Sequence, residues 1–367
     1  MKTPHEMYRE HYDRLTRAIT LQETDRPPVF YNCEVFTARY MGLKLGEMIS
    51  DFERACLLIQ AGMLLVGGGE IDASSAGMYP PSRETISYMK LPGRDLGMDE
   101  LWQIDERELM TVEDYDTIID KGYAVFRQEY TKRINNGAMA EKMQEVAPVM
   151  GRLERNLKDI GIVNFTSVFA DAFVETFCSM RTMPGFFRDL HRIPDKVQAA
   201  MDVMIEEHLA ELRRQIREQK PFSVFVGGSR SAFISNKLFE RFDLPYRRRI
   251  VDTVIEEGSF VNFHLDADWG PKLHYFLDFP KGKCCLSLDG TTDIFQAKKV
   301  LDGHMALLGD VPSTLLSLGT PEEVYEYSSR LVREIGPGGF ILAAGCSAPP
   351  NAKPENIKAM ICAATGK

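Results

Sequence analysis

FVNFHLDADWGPKLHYFLDFPKGKCCLSLDGTTDIFQAKKVLDGHMALLGD, residues 260–310, holds three short apolar runs, Phe260–Leu265, Cys284–Leu288 and Met305–Leu308. Each is followed by a polar turn, and an amphipathic segment leads on to the next. The runs are near-continuous in apolar character rather than strictly alternating, the pattern of parallel strands covered on both faces. Working outward, runs of the same kind lie at Pro28–Tyr31, Gly69–Ala73, Ile162–Phe169, Phe222–Val226 and Phe340–Ala344, which brings the count to eight.

Helix signals fill the intervals. Asp51 stands as an N-cap before FERACLLIQAGMLL, and Pro194-Asp195 opens a long charged helix reaching about Gln219. Thr320-Pro321-Glu322-Glu323 is a capping box with proline in the first turn, and Pro354 opens ENIKAMICAA. Strand–helix alternation with eight strands predicts an α/β TIM (β/α)8 barrel, with a doubly wound sheet as the alternative. Roughly ninety residues separate the second and third runs. Their LPGRDLGMDELWQIDERELMTVEDYD predicts a β-hairpin and a helix, an insertion that would shape a substrate cavity with Trp102. The expected organisation is a single barrel domain over 1–367, with an N-terminal helical extension at about 1–25 and an excursion at about 80–150.

Of 367 residues, 44% are hydrophobic and 26% charged, enough apolar material for a large core and incompatible with a disordered chain or a disulfide-stapled miniprotein. With 44 basic and 53 acidic residues the net charge is −9, a poor match to nucleic acid. MKTPHEMYREHYDRL lacks the apolar core of a signal peptide. The apolar stretch Ala55–Val66, broken by Gln60, reads as too short to span a membrane. Seven cysteines scattered along the chain fit a reduced, cytoplasmic location.

In α/β barrels the chemistry gathers at the C-terminal ends of the strands. There the sequence places Asn32, Cys33 and Glu34, then Asp171 and Glu175, Gly227-Gly228-Ser229-Arg230, His264-Leu265-Asp266, Asp289, Asp310 and Cys346. Residues i and i+2 of a strand face one side, so His264 and Asp266 converge, and Cys346 can face them across the mouth. Imidazole, carboxylate and thiolate make a zinc set with a fourth position open. Taken singly, the same residues have plainer readings, a hydrogen-bonding histidine and a buried cysteine. Gly67-Gly68-Gly69 reads as a turn, and Arg247-Arg248-Arg249 as a solvated helix face.

GCSAPPNAKPENIKAM, residues 345–360, resembles the C-terminal signature of the uroporphyrinogen decarboxylase superfamily. GDVPSTLLSLGTPEEV, LPYRRRIVD and FCSMRTMPGFFRDLHRIPDKV resemble it too, so the likeness covers most of the chain after about residue 155. The resemblance implies a TIM barrel. True decarboxylases carry an arginine-rich segment after the first strand, where this chain reads RPPVFYNCEVFTARY; a substrate with many carboxylates needs such cations. The corrinoid-dependent methyltransferase branch is the nearer likeness. It holds zinc through a His-x-Cys pair and a distant cysteine, which His264 and Cys346 match, while Asp266 stands in the place of the first cysteine.

The resemblance thus implies zinc held by His264, Asp266 and Cys346. It also implies a methyl group moved from a methylated small molecule to a corrinoid carried by a partner protein. A carboxylate in place of a thiolate hardens the metal and suits an oxygen leaving group, as in methanol or a methyl ether such as a methoxylated aromatic; a methylamine is the remaining donor class. Asp310, Glu175, Asp289 and Asn32 are candidates for proton donors or supports of the ligands. A metal-free lyase using His264 and Asp266 as an acid–base pair, a methyl-acceptor-side enzyme and a catalytically silent binding barrel are the alternatives. A homodimer is an open option.

Overall fold

The computed structural model describes residues 2–170 and 172–367. Eight parallel strands form its centre: β1 (Phe30–Tyr31), β2 (Ala73–Ser74), β3 (Val163–Asn164 continuing as Thr166–Ala170), β4 (Ser223–Gly228), β5 (Phe260–Leu265), β6 (Cys284–Leu288), β7 (Ala306–Val311) and β8 (Phe340–Ala344). β1, β2 and the start of β3 pair as one ribbon, and the rest of β3 through β8 pair in sequence order as another. The ribbons share β3 through Phe165, whose N–H reaches Ser74 O at 3.0 Å. At the other seam Val29 bridges Leu342 in parallel, and Leu342 N donates to Pro28 O at 2.9 Å. The result is the ring of a TIM-type α/β barrel.

The strands are apolar throughout because both faces are covered. Cys285, Ala306, Leu308, Ile341 and Ala343 turn inward and meet Leu15, Ala18 and Ile19 of the N-terminal helix Pro4–Ile19. Leu286, Leu288, Leu307, Phe340 and Leu342 turn out against the helices. The N-terminal helix therefore closes the end of the barrel opposite the strand C-termini. Asp72 ties it there, accepting from Arg14 and, at 2.6 Å, from Arg26.

The insertion between β2 and β3 contains the expected antiparallel hairpin, Tyr88–Lys90 with Gln103–Asp105, then helices Glu113–Lys121, Tyr123–Lys132 and Ala138–Asp159. Trp102 packs against the apolar cluster around Val35, Leu45 and Ile59.

Several local expectations need correction. Gly68–Glu70 is a 3₁₀ turn, so β2 starts at Ala73 rather than in the glycine run. Asp51 occupies the N-cap of helix Phe52–Gly67, but its side chain caps nothing. Phe52–Glu70, at 19 residues, is long and apolar enough by composition to cross a membrane; Phe52, Ala55, Cys56, Ile59, Met63 and Val66 are nonetheless buried in protein. Arg247 is no surface residue: it is 2% exposed and its Nε donates to Asp243 Oδ1 at 2.6 Å.

The capping box at Thr320 forms in full on helix Pro321–Ile335. Thr320→Ala should lower stability by ~1 kcal/mol, read as a lower urea midpoint at unchanged slope.

Candidate metal centre

His264 is the penultimate residue of β5, and Asp266 follows the strand's last residue, so the two are spaced i, i+2. Cys346 follows β8 and is exposed at the mouth. The three come together. His264 Nε2 lies 3.4 Å from Cys346 Sγ and 3.4 Å from Asp266 Oδ1. One donor atom from each falls within 4.8 Å of the others.

Each member is held from behind. Ser287, in register with His264 on β6, shares a 3.1 Å hydrogen bond with Nδ1, which leaves Nε2 facing the cluster. Ser229 donates to Asp266 Oδ2 at 2.8 Å, leaving Oδ1 toward His264. Asn32 Nδ2 donates to the carbonyls of Ala344 and Cys346 at 3.0 and 2.5 Å, and its Oδ1 accepts from Ala344 N. Asn32 thereby ties the backbone carrying Cys346 to the end of β1.

Burial disfavours a charged His264, but hydrogen bonds and charge from Asp266 and Cys346 outweigh it and raise the imidazole pKa to about 10. Burial likewise pushes the Asp266 carboxyl up, while bonding to His264 and Ser229 reverses the direction to a net lowering. The imidazole thus holds a proton toward its two neighbours, the proton a metal ion would displace. Nitrogen, oxygen and sulfur donors with one position left open match a catalytic zinc set, and two of the three have their other polar atom anchored, as metal ligands do. The donor set fits zinc.

The remaining candidates lie elsewhere around the mouth. Glu175 Oε1 accepts the backbone N–H groups of Ser229, Arg230 and Ser231 at 2.8, 2.7 and 3.1 Å, fixing the turn that presents Ser229 to Asp266. Asp289 accepts from Ala267 N at 3.1 Å and Thr291 N at 2.8 Å and so anchors the loop after Asp266. Asp310 is buried, accepts the Tyr327 hydroxyl at 2.8 Å, and is pushed by burial up to about 7. Asp171 lies outside the described residues. Sequence reasoning missed Ser287, although the lone hydroxyl in CCLSL at the level of His264 was its signal, and it missed the aromatic rings beside His264.

An eight-stranded barrel with a polar donor cluster at the strand C-termini is an enzyme-type α/β scaffold. The family model described as uroporphyrinogen decarboxylase (URO-D) matches residues 120–366, and the chain belongs to that family. Across 358 residues, 95% of this chain and 96% of the relative, it is 22% identical to the methylcobamide:CoM methyltransferase MtbA of Methanosarcina acetivorans. It is 25% identical over 166 residues, 44% of this chain, to the uroporphyrinogen decarboxylase of Dichelobacter nodosus, and that match spans 47% of the decarboxylase. A methyltransferase from Methanosarcina mazei shares the fold, with a TM-score of 0.72 at 14% identity over 97% of this chain and 98% of that one. In the segment around β1, Arg26 before the strand pairs with Asp72 at 2.6 Å, and Arg39 after it donates to the Asp99 carbonyl at 2.7 Å.

Proposed function

We propose that this chain is a zinc-dependent methyltransferase that takes a methyl group from a methylated small molecule, a methyl ether, methanol or a methylamine, and passes it to a corrinoid protein. The observation that carries the reading is the convergence of His264, Asp266 and Cys346 at the barrel mouth. The near full-length likeness to methylcobamide:CoM methyltransferases supports it. So does the commitment of Arg26 and Arg39 to protein partners, since a polycarboxylate substrate needs cations free to bind it.

His264, Asp266 and Cys346 would hold the metal, and Ser287, Ser229 and Asn32 keep their donor atoms aimed at one point. The chemistry zinc supplies in such a set is Lewis-acid polarisation of an oxygen leaving group. The methyl group leaves that oxygen, which keeps the bonding electron pair and takes a proton, and the Co(I) corrinoid of the partner is the nucleophile. Asp310, with a pKa close to neutrality, has the acidity of a proton donor for that oxygen.

The name of the Methanosarcina relatives, methylcobamide:CoM methyltransferase, favours a second reading, transfer from a methylated corrinoid to a thiol acceptor. Asp266 separates the two, because a carboxylate ligand weakens the electron-rich character that thiol activation draws on. The test is incubation of purified, zinc-loaded chain and Co(I) corrinoid protein with methyl ethers, methanol and methylamines. Demethylation of at least one class is expected, and none at all would sink the proposal. Ser287→Ala, which frees the far side of the imidazole, should weaken zinc binding by about 10–100-fold in competition with a chromophoric chelator.

A further inference from the structure

Phe169 lies on β3 at the end of the barrel that carries the donor cluster, and 63% of it is exposed. A phenylalanine in a barrel strand ordinarily gains by burial, so one left open at the mouth beside a donor cluster is an apolar face available to a ligand. Its ring sits 5.2 Å from that of Phe225 on β4, tilted by 46°. Phe225 in turn sits 5.5 Å from the His264 imidazole, tilted by 34°. Gly227 makes room for this arrangement, since a Cβ there would stand 3.1 Å from Phe225 Cε1. Three rings therefore step from open solvent to the donor cluster. On the 3₁₀ turn after β4, Phe233 is also 63% exposed.

We propose that Phe169 and Phe225 form a platform for a neutral, flat aromatic methyl ether, its ring stacked on Phe169 and its methoxy group toward His264. The identity of the reacting group rests on the methyltransferase reading; the aromatic preference rests on the rings. Aromatic pairs favour offset or tilted contacts at 4.5–7 Å, the spacing of the existing steps, so a further ring extends the series. Methanol has no face to stack. A methylammonium ion needs several aromatic walls or a free carboxylate, and neither is offered: the rings present one exposed face, and the nearby acids are engaged. Glu175 accepts three backbone N–H groups and Arg230, Asp266 is paired with His264 and Ser229, and Asp289 accepts the backbone N–H groups of Ala267 and Thr291.

The test is calorimetric titration of the full chain, with and without zinc, using methoxybenzene, cyclohexyl methyl ether, methanol and tetramethylammonium. Methoxybenzene should bind several-fold more tightly than cyclohexyl methyl ether, although the saturated ether is the more hydrophobic. Phe169→Ala should remove that preference through a roughly tenfold loss for methoxybenzene, and Phe169→Tyr should keep it. Since Phe169 stands largely in solvent, the alanine variant should unfold at the wild-type denaturant midpoint. Equal or tighter binding of the saturated ether, tighter binding of tetramethylammonium, or a preference that survives in Phe169→Ala overturns the platform. The titration needs neither metal nor corrinoid, so its failure is distinguishable from failure of methyl transfer.

Discussion

His264→Ala and Cys346→Ala should each purify almost free of zinc, against about one ion per chain for the unaltered protein prepared without chelator. Removing a hydrogen-bond partner of a ligand already costs about 10–100-fold in metal affinity, and removing one of only three ligands costs more. Cys346 is exposed, so its alanine variant should fold normally, and loss of metal there reports on ligation. The pH dependence has a definite sign. The His264 pKa is raised to about 10, so at neutral pH the ion must displace the imidazole proton. Affinity should therefore climb with pH, by about tenfold per unit where one proton is released, until that value is reached. Elemental analysis and chelator competition from pH 6 to 8 check both parts. A wild-type chain that holds no zinc even after reconstitution would leave His264 and Asp266 as an acid–base pair and move the metal-free lyase ahead of the methyltransferase.

That cluster was legible because two simple rules sufficed: strand ends carry the chemistry in a barrel, and i, i+2 residues share a face. β5, β6 and β8 were legible for the same reason, since strands buried on both sides declare themselves as apolar runs that end where burial ends. β2 was not. It contributes only Ala73 and Ser74, and the preceding Asp72 looks like an interruption until Arg14 and Arg26 are seen to neutralise it. Arg247 was misread because three arginines in a row resemble a solvated face, yet a helix turns one of any three inward, and here Asp243 waits four residues earlier. The work of Glu175 and Asn32 lies in backbone N–H and carbonyl groups of other loops, which leave no mark on side-chain pattern. Phe169 passed as the last residue of an apolar run, because composition cannot tell an inward residue at a packed level from one at an open mouth.

Asp310→Asn should make the protein more stable relative to wild type at pH 8 than at pH 5, with a difference of about 2–3 kcal/mol between the two conditions. Asp310 is 2% exposed, and burial raises its pKa from 3.8 to about 7, the Tyr327 hydroxyl only partly offsetting the shift. Between those values the folded state binds the proton that the unfolded state has released. Stability must then fall as pH rises through the window, with the full penalty present above about pH 7 and absent below about pH 4. An amide cannot ionise, accepts the same hydroxyl and fills nearly the same volume, so the variant escapes the penalty while keeping the contact. Urea titrations of both proteins at several pH values measure the difference directly, and a constant gap between them would mean that the carboxyl ionises freely in the fold. The rate profile of methyl transfer then assigns the group's role. A proton donor to the departing oxygen would take the limb near pH 7 with it when replaced by Asn. A carboxyl that only packs beneath Tyr327 would leave the profile where it was and move stability alone.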